Sequence, residues 1–366
     1  MCDETMLVWL TLLATPGIGL RSARMIIEQC KRIDAHPTLL VLQEVLPMLK
    51  ADLQIQLVET MQQKNGQRDF EQLKVMPYTV LCEDDDNYPQ ALLEISDPPP
   101  FLTVLGKSLD PYRPAVAIVG TRHCSAYGQR AAREIAEDLV KDGFAVLSGL
   151  AIGIDQAAHQ GAVNAHGKTI AVLGSGLQKI YPQNSTRLVD KILAEGGAVY
   201  SEFLPWQQAQ KYQFVQRNRI ISGMGQAVIV VEAGARSGAL ITADFALSQN
   251  RDVAVVPGSL YGNSSLGCHF LANQGAFLLV ATDHVAKQLA LRGIVDPEER
   301  KALTRNQPSS FCQTILTQLM INRKSIDQLT RVFEEKGWKE EELWQALFEL
   351  ESAGEIVRIG PGLYSR

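Results

Sequence analysis

Between residues 114 and 292 the chain keeps one rhythm, a short run of aliphatic and β-branched residues followed by a longer amphipathic stretch. The short runs fall at 115–119, 144–147, 169–173, 198–200, 228–231, 253–256 and 277–280. None alternates polar with apolar residues, so each reads as a strand covered on both faces. Between the first two, Ala131, Ala132, Ile135, Ala136, Leu139 and Val140 share one face of a helix. Strands of this kind, joined by helices, wind right-handed into a parallel sheet with helices on both sides. The predicted fold is α/β, a Rossmann-like doubly wound parallel sheet over 114–292.

The flanks read differently. In residues 1–75 apolar residues recur at helical spacing (Leu7, Leu10, Leu13; Ala23, Ile26, Ile27), which predicts a helical domain. Its first turn, Thr15-Pro16-Gly17-Ile18-Gly19, has the form of a helix-hairpin-helix (SAM-like) corner whose N–H groups can meet a phosphate. An ordinary helical corner fits the same residues. Residues 76–113 hold Asp84-Asp85-Asp86, Tyr88-Pro89 and Pro98-Pro99-Pro100. Prolines remove donors and block helix, so this segment is expected as a connecting strap outside the core. After a polar linker at 293–308, residues 309–366 carry helical patterns at 309–321, 325–334 and 338–353, then a hairpin around Gly360-Pro361-Gly362. That is the layout of a winged helix. Its third helix carries Lys339 among Glu340, Glu341, Glu342, Glu349 and Glu351, a face that suits protein better than a major groove.

Composition narrows the compartment and the chemistry. Cys2, Cys30, Cys82, Cys124, Cys268 and Cys312 lie far apart, without zinc-type pairs, as expected of single thiols in a reducing cytoplasm. The apolar run 6–14 follows Asp3 and Glu4 rather than lysines, so it is not read as a secretion signal. No stretch reaches the length of a membrane span. The net charge of -5 weighs against a duplex binder, although a basic track can hide within an acidic total.

In an open parallel sheet, ligands sit beyond the carboxyl ends of the strands. Here those ends are Gly120-Thr121-Arg122, Ser148-Gly149, Gly174-Ser175-Gly176, Ser201-Glu202, Glu232-Ala233-Gly234 and Pro257-Gly258. Glycines at nearly every end suggest a lip of backbone N–H groups shaped for an extended anion. It is not a dinucleotide fingerprint: the next glycine after Gly120 is Gly128, the second strand ends in Ser148 rather than an acid, and Lys179 holds the third glycine's place after Gly174. No P-loop or His-rich metal cluster is present, so no cofactor or metal is expected. Arg122, Lys211, Arg217, Arg219 and Arg236 fall in this domain, interleaved with Tyr212 and Phe214. Cations for phosphates and rings for bases are what a single strand of nucleic acid needs. Taken singly, each arginine also fits a surface ion pair, and Phe214 fits core packing.

Seven ordered segments carry a resemblance: AIVGTRHCSAYG, VLSGLAIGIDQAAHQGA, SEFLP, RNRIISGM, VVEAGARSGALITADFAL, VPGS and GCHFLANQGA. Together, over about 115–280, they resemble the DNA-processing protein A family (DprA, or Smf); the segment YPQALLEISDPPPFLTVLG and both flanks resemble its long form. The resemblance implies a non-enzymatic protein that binds incoming single-stranded DNA during natural transformation, shields it, helps load the RecA recombinase, and forms a homodimer through the Rossmann-like domain. The family's Gly-Ser-Arg phosphate motif stands here as Gly120-Thr121-Arg122. Its lysine and phenylalanine match Lys211 and Phe214, ahead of Arg217-Asn218-Arg219; Gly149 and Gly238 complete the expected DNA-binding set. Where many members read His-Phe-Pro, this chain has Gln213-Phe214-Val215. A competing resemblance is to nucleoside-monophosphate phosphoribohydrolases of the lysine-decarboxylase-like group. Their catalytic glutamate has no counterpart after Gly238, where the first acid is Asp244.

Overall fold

The computed structural model describes residues 3–110 and 113–291, and in the C-terminal part residues 314–316, 318–319, 324–335, 338, 340–352, 356–360 and 363–365. It divides into two compact units, Met1–Leu303 and Thr304–Arg366.

The first unit begins with five helices: α1 (Asp3–Leu13), α2 (Leu20–Ile33), α3 (Leu39–Val45), α4 (Ala51–Gln62) and α5 (Asn65–Lys74). They enclose Val8, Trp9, Leu12, Ile27, Leu42 and Leu57. Helix α5 lies tightly on α1 because Gly66 has no side chain. A Cβ there would sit 2.6 Å from the Thr11 backbone.

The chain then builds one sheet. In order come β1 (Thr79–Cys82), α6 (Gln90–Leu93), β2 (Phe101–Gly106), β3 (Ala115–Val119), α7 (Ala126–Lys141), β4 (Ala145–Ser148), α8 (Ile154–Asn164), β5 (Thr169–Val172), α9 (Thr186–Ala194) and β6 (Ala198–Ser201). There follow α10 (Lys211–Met224), β7 (Ala227–Val230), α11 (Gly238–Ser248), β8 (Asp252–Val255), α12 (Leu266–Asn273), β9 (Phe277–Leu278) and α13 (Val285–Leu291). The strand order is β1-β2-β6-β5-β4-β3-β7-β8-β9. From β6 to β9 every neighbouring pair is parallel. Both faces are buried: Val116 and Ile118 pack with Ala131 and Ile135 of α7, while Ala117 and Val119 share a core with Ile220 and Ile221 of α10. The absence of alternation in these strands therefore has its expected cause.

Residues 76–113, expected as a strap outside the core, supply two strands of the sheet instead. Strand β2 pairs antiparallel with β6 and β1 antiparallel with β2, so the sheet is mixed at this edge. Tyr88, Leu92, Ile95, Leu102 and Val104 belong to the main core. The prolines lie between α6 and β2, outside the ladders, and are buried; the Tyr88 hydroxyl donates to the Pro99 carbonyl at 2.7 Å. Arg251 fastens the segment from the other side through Glu94 at 2.7 Å and the Ala91 carbonyl at 2.9 Å. Arg24 ties the N-terminal helices to it, bonding Glu83 at 3.0 Å and the Pro98 carbonyl at 2.7 Å above the Trp9 ring.

The second unit contains β10 (Lys324–Ser325), α14 (Ile326–Glu335), α15 (Glu340–Ser352), β11 (Val357–Gly360) and β12 (Leu363–Ser365), with sheet order β10-β12-β11. Ile315, Leu319, Leu329, Leu343, Leu347 and Tyr364 form its core. The expected linker 293–308, the first residues of the helix expected at 309–321, and the hairpin tip Pro361-Gly362 lie outside the described residues, as do the side chains of Glu340, Glu341, Glu342 and Glu349. Among the described residues no helix is long and apolar enough to cross a membrane.

Burying a large apolar side chain stabilises by about 1.5–3 kcal/mol, so Tyr88, Leu92, Leu102 and Val104 together contribute about 6–12 kcal/mol, comparable with a whole domain's stability. A fragment of residues 76–291 is therefore expected to melt cooperatively, and one of residues 114–291 is not. Calorimetry showing the same sharp transition in both fragments would refute an integral role for β1 and β2.

Candidate functional site

The end of β3 and the segments beyond β4, β5 and β7 converge on a cleft of about 600 Å³ at the carboxyl edge of the sheet. One wall is α10, which presents Lys211, Phe214, Val215 and Asn218. Their spacing is that of one helical face. The first turn of α10 is closed reciprocally by Gln210 and Gln213, with the Gln210 N–H donating to Gln213 Oε1 at 2.6 Å. The glutamine that stands in place of the family's histidine thus caps the helix bearing Lys211 and Phe214. The facing wall is Gly120-Thr121-Arg122 beyond β3 and the start of α11 at Ser237-Gly238. Ser237 Oγ caps that helix by accepting from the Ala239 N–H at 3.3 Å.

Phe214 is half-buried. Its ring backs onto Gly174, where a Cβ would come 2.9 Å from the ring. The Tyr181 ring lies 5.5 Å from it at 60°, and the Arg122 guanidinium sits 5.8 Å from its centroid. Arg122, Lys211 and Tyr181 are all exposed. Among the described residues neither Arg122 nor Lys211 has an ion pair. Tyr181 went unread in the sequence; the signal was an aromatic side chain in a strand-end loop, which single-chain reading cannot place.

Two predicted cations have other work. Arg217 is buried: its Nη1 donates to the Gly149 carbonyl at 2.8 Å and to the Val172 carbonyl, at the ends of β4 and β5. It lines the cleft floor from beneath. Burial pulls its pKa down to about 10, and the nearby Asp155 carboxylate opposes that. Arg219 faces away from the cleft, almost fully buried, pairing with Glu202 at 2.5 Å and Asp97 at 3.0 Å. Gly149 is also outside the cleft lining, since it serves Arg217; a Cβ there would strike the guanidinium. Reading Arg219 as a phosphate contact is therefore corrected by its burial, and Gly149 becomes a support. Arg236 is exposed but does not line the cleft.

Part of the expected lip of N–H groups is occupied. Thr121 N donates to the Glu232 carbonyl at 2.7 Å, Gly149 N to Asp155 at 3.1 Å, and Gly176 N to the Gln207 carbonyl at 2.9 Å. Anion recognition then falls to side chains. Among the described residues no group of three His, Cys, Asp or Glu is placed to hold a metal.

Beneath the site, α8 carries the buried His159. Thr169 Oγ1 donates to the Val146 carbonyl at 2.7 Å, so it accepts from His159 Nδ1–H at 2.7 Å, which leaves the buried Nε2 unprotonated and without a partner among the described residues. Burial, aided by the Arg217 charge, pushes this histidine down to about 3.

Residues 79–290 match the family model described as DNA recombination-mediator protein A. Protein Smf of Synechocystis sp. is 41% identical over 254 residues, 68% of this chain, and the match spans 60% of that relative's length. The crystal structure of DNA processing protein A from Streptococcus pneumoniae aligns with a TM-score of 0.69 at 32% identity, covering 80% of this chain and 98% of that one. DNA processing protein A from Helicobacter pylori, solved for its single-stranded DNA binding mode, aligns with a TM-score of 0.53 at 29% identity, covering 61% and 99%.

Arg219→Ala is expected to lower folding stability by about 3–5 kcal/mol, because Glu202 is left buried and unpaired. Denaturant titration checks it, and a loss below about 1 kcal/mol, the range of an exposed pair, would contradict this role. For His159 the folded pKa lies below the unfolded value. Its contribution is therefore full above pH 6.5 and lost as pH falls toward 3. Asp155 and Glu202, both raised by burial, act in the opposite sense. Comparison with His159→Gln isolates the histidine: from pH 7 to 5 the wild type is expected to lose about 2 kcal/mol more than the variant. Parallel pH curves would contradict a buried neutral ring.

Proposed function

The chain belongs to the DNA recombination-mediator protein A family, and from that premise we propose that its cleft binds single-stranded DNA. The observation that carries the reading is the placement of two exposed, unpaired cations, Arg122 and Lys211, around the Phe214 and Tyr181 rings in one cleft. Cations neutralise phosphates while rings accept unstacked bases, an arrangement that tolerates any sequence. A duplex keeps its bases stacked inside and gains nothing from the rings. Asn218 and Gly238 fit the polar lining of the same path, and Gly238 leaves open space where a Cβ would stand.

The same reading makes the protein a mediator that shields incoming DNA in the cytoplasm during natural transformation and passes it to the RecA recombinase. It works as a homodimer joined through the sheet domain, where Leu278 and Val280 at the β9 edge are exposed apolar residues. The helices and three-stranded sheet of the second unit fit a winged helix, and the acidic sequence of its last helix favours a protein partner over DNA.

A phosphoribohydrolase activity is not favoured. Asp155 is the one carboxylate among the described cleft residues, and it is buried, accepting from the Gly149 and Ala151 N–H groups at 3.1 and 3.4 Å. Glu232 accepts from the Ser125 N–H at 2.8 Å and hydroxyl at 2.6 Å. Asp244 is exposed outside the cleft.

Fluorescence anisotropy with single-stranded and duplex oligonucleotides tests the proposal. Arg122→Ala and Lys211→Ala are each expected to weaken binding of every sequence and to flatten the salt dependence by about 0.7. Phe214→Ala is expected to cost about 1–3 kcal/mol of binding with an unchanged salt slope. Equal affinity for duplex, or variants that bind like the wild type, would overturn the assignment.

A further inference from the structure

A second cleft of about 610 Å³ opens on the other side of the β3 loop, and Arg122 and His123 line both. It lies between α7, α8 and α9, on the sheet face opposite α10. Arg133 projects from α7, and Arg187 and Lys191, four residues apart on one face of α9, stand across from it. All three are exposed, and no carboxylate is among the described residues lining the cleft. In a chain of net charge -5 this is a local concentration of positive charge.

Two acids on or beside these helices are engaged elsewhere, and Glu137 and Asp190 do not line the cleft. On α7, Glu134 pairs with Arg130 at 2.6 Å and accepts from Thr282, leaving Arg133 without an ion pair among the described residues. Glu195, one turn beyond Lys191, faces His166 at 3.2 Å. The remaining lining is neutral: Gln129, Gln156, Gln160 and Asn184 offer amides rather than charge.

We propose that the second cleft carries the continuation of the single strand, which crosses the sheet edge at Arg122 and His123 and lays its phosphates against Arg133, Arg187 and Lys191. The proposal rests on the reading of the first cleft as a single-strand site. It adds that the binding path is longer than that cleft and runs over to the opposite face of the sheet. Among the described residues no Phe, Tyr or Trp lines the second cleft beyond the shared His123, so it holds backbone rather than stacking bases.

The test uses the full chain, with oligothymidines of roughly six and roughly twenty nucleotides read by fluorescence anisotropy over a salt series. In the variant carrying Arg133→Ala, Arg187→Ala and Lys191→Ala, affinity for the short strand is expected to stay as in the wild type. Affinity for the long strand is expected to fall about tenfold or more in low salt, with its salt slope reduced by about 2. Because all three side chains are exposed, a melting curve like that of the wild type verifies that the variant is folded. Lys211→Ala, in contrast, is expected to weaken both lengths. If the triple variant keeps full affinity and slope for the long strand, the second cleft is excluded while the first stands. Equal loss on both lengths also overturns the proposal, since the cations would then belong to the first site. If the wild type binds neither oligonucleotide, the reading of the first cleft has failed and this one with it.

Discussion

The guanidinium of Arg217 is the constraint on which the site depends. It lies beneath the cleft, bonded to the carbonyls of Gly149 and Val172 where two neighbouring parallel strands end. A buried charge of this kind needs acceptors for its donors and a counter-charge nearby; here Nη1 has two acceptors, while Nε has none among the described residues. Asp155 supplies the counter-charge from the first turn of α8, and is itself held by the Gly149 and Ala151 N–H groups. Glycine at position 149 follows from the geometry, because any side chain would collide with the guanidinium. One arginine thereby fixes α10 against β4 and β5, and with α10 the positions of Lys211 and Phe214.

A division of labour among cations results. Arg217, Arg219 and Arg251 are spent on carbonyls and carboxylates inside the protein, where they clamp α10, the strand ends and the segment before β2. Arg122 and Lys211 remain at the surface with their charge uncommitted. The N–H groups of Thr121, Gly149 and Gly176 are likewise consumed internally. The cleft is attractive to an anion because Arg122 and Lys211 keep uncommitted charge above a floor whose own cation, Arg217, is already engaged.

Much of this was legible in the chain. The unalternating strands located the sheet to within a residue or two, and the strand-end rule located the cleft. Lys211 and Phe214 read correctly as neighbours on one helix, because their spacing is fixed by helix geometry alone. Burial of Arg217 and Arg219 was not legible. Helix α10 carries polar residues all round, so no apolar stripe marks its inner face, and a buried ion pair looks in sequence like a surface one. Strands β1 and β2 were hidden by the prolines between α6 and β2, which signal irregular backbone but say nothing of the short ladders on either side. The family match beginning at Thr79, the first residue of β1, agrees with their membership in the sheet domain.

The pairing of β2 with β6 has a consequence for how the chain is made. Thr103 donates to the carbonyl of Ser201, a partner 98 residues further along. At about 5–20 residues per second, the ribosome delivers that partner about 5–20 seconds after β2 has emerged. For that interval the nascent β1–β2 hairpin presents an open edge bearing Leu102 and Val104. The five N-terminal helices are already synthesised by then, and Met6, Leu10 and Leu73 pack with Cys82 and Phe101 of that hairpin. The N-terminal domain is thus placed, by its order in the chain, to cover part of an unfinished sheet while the rest of it is translated.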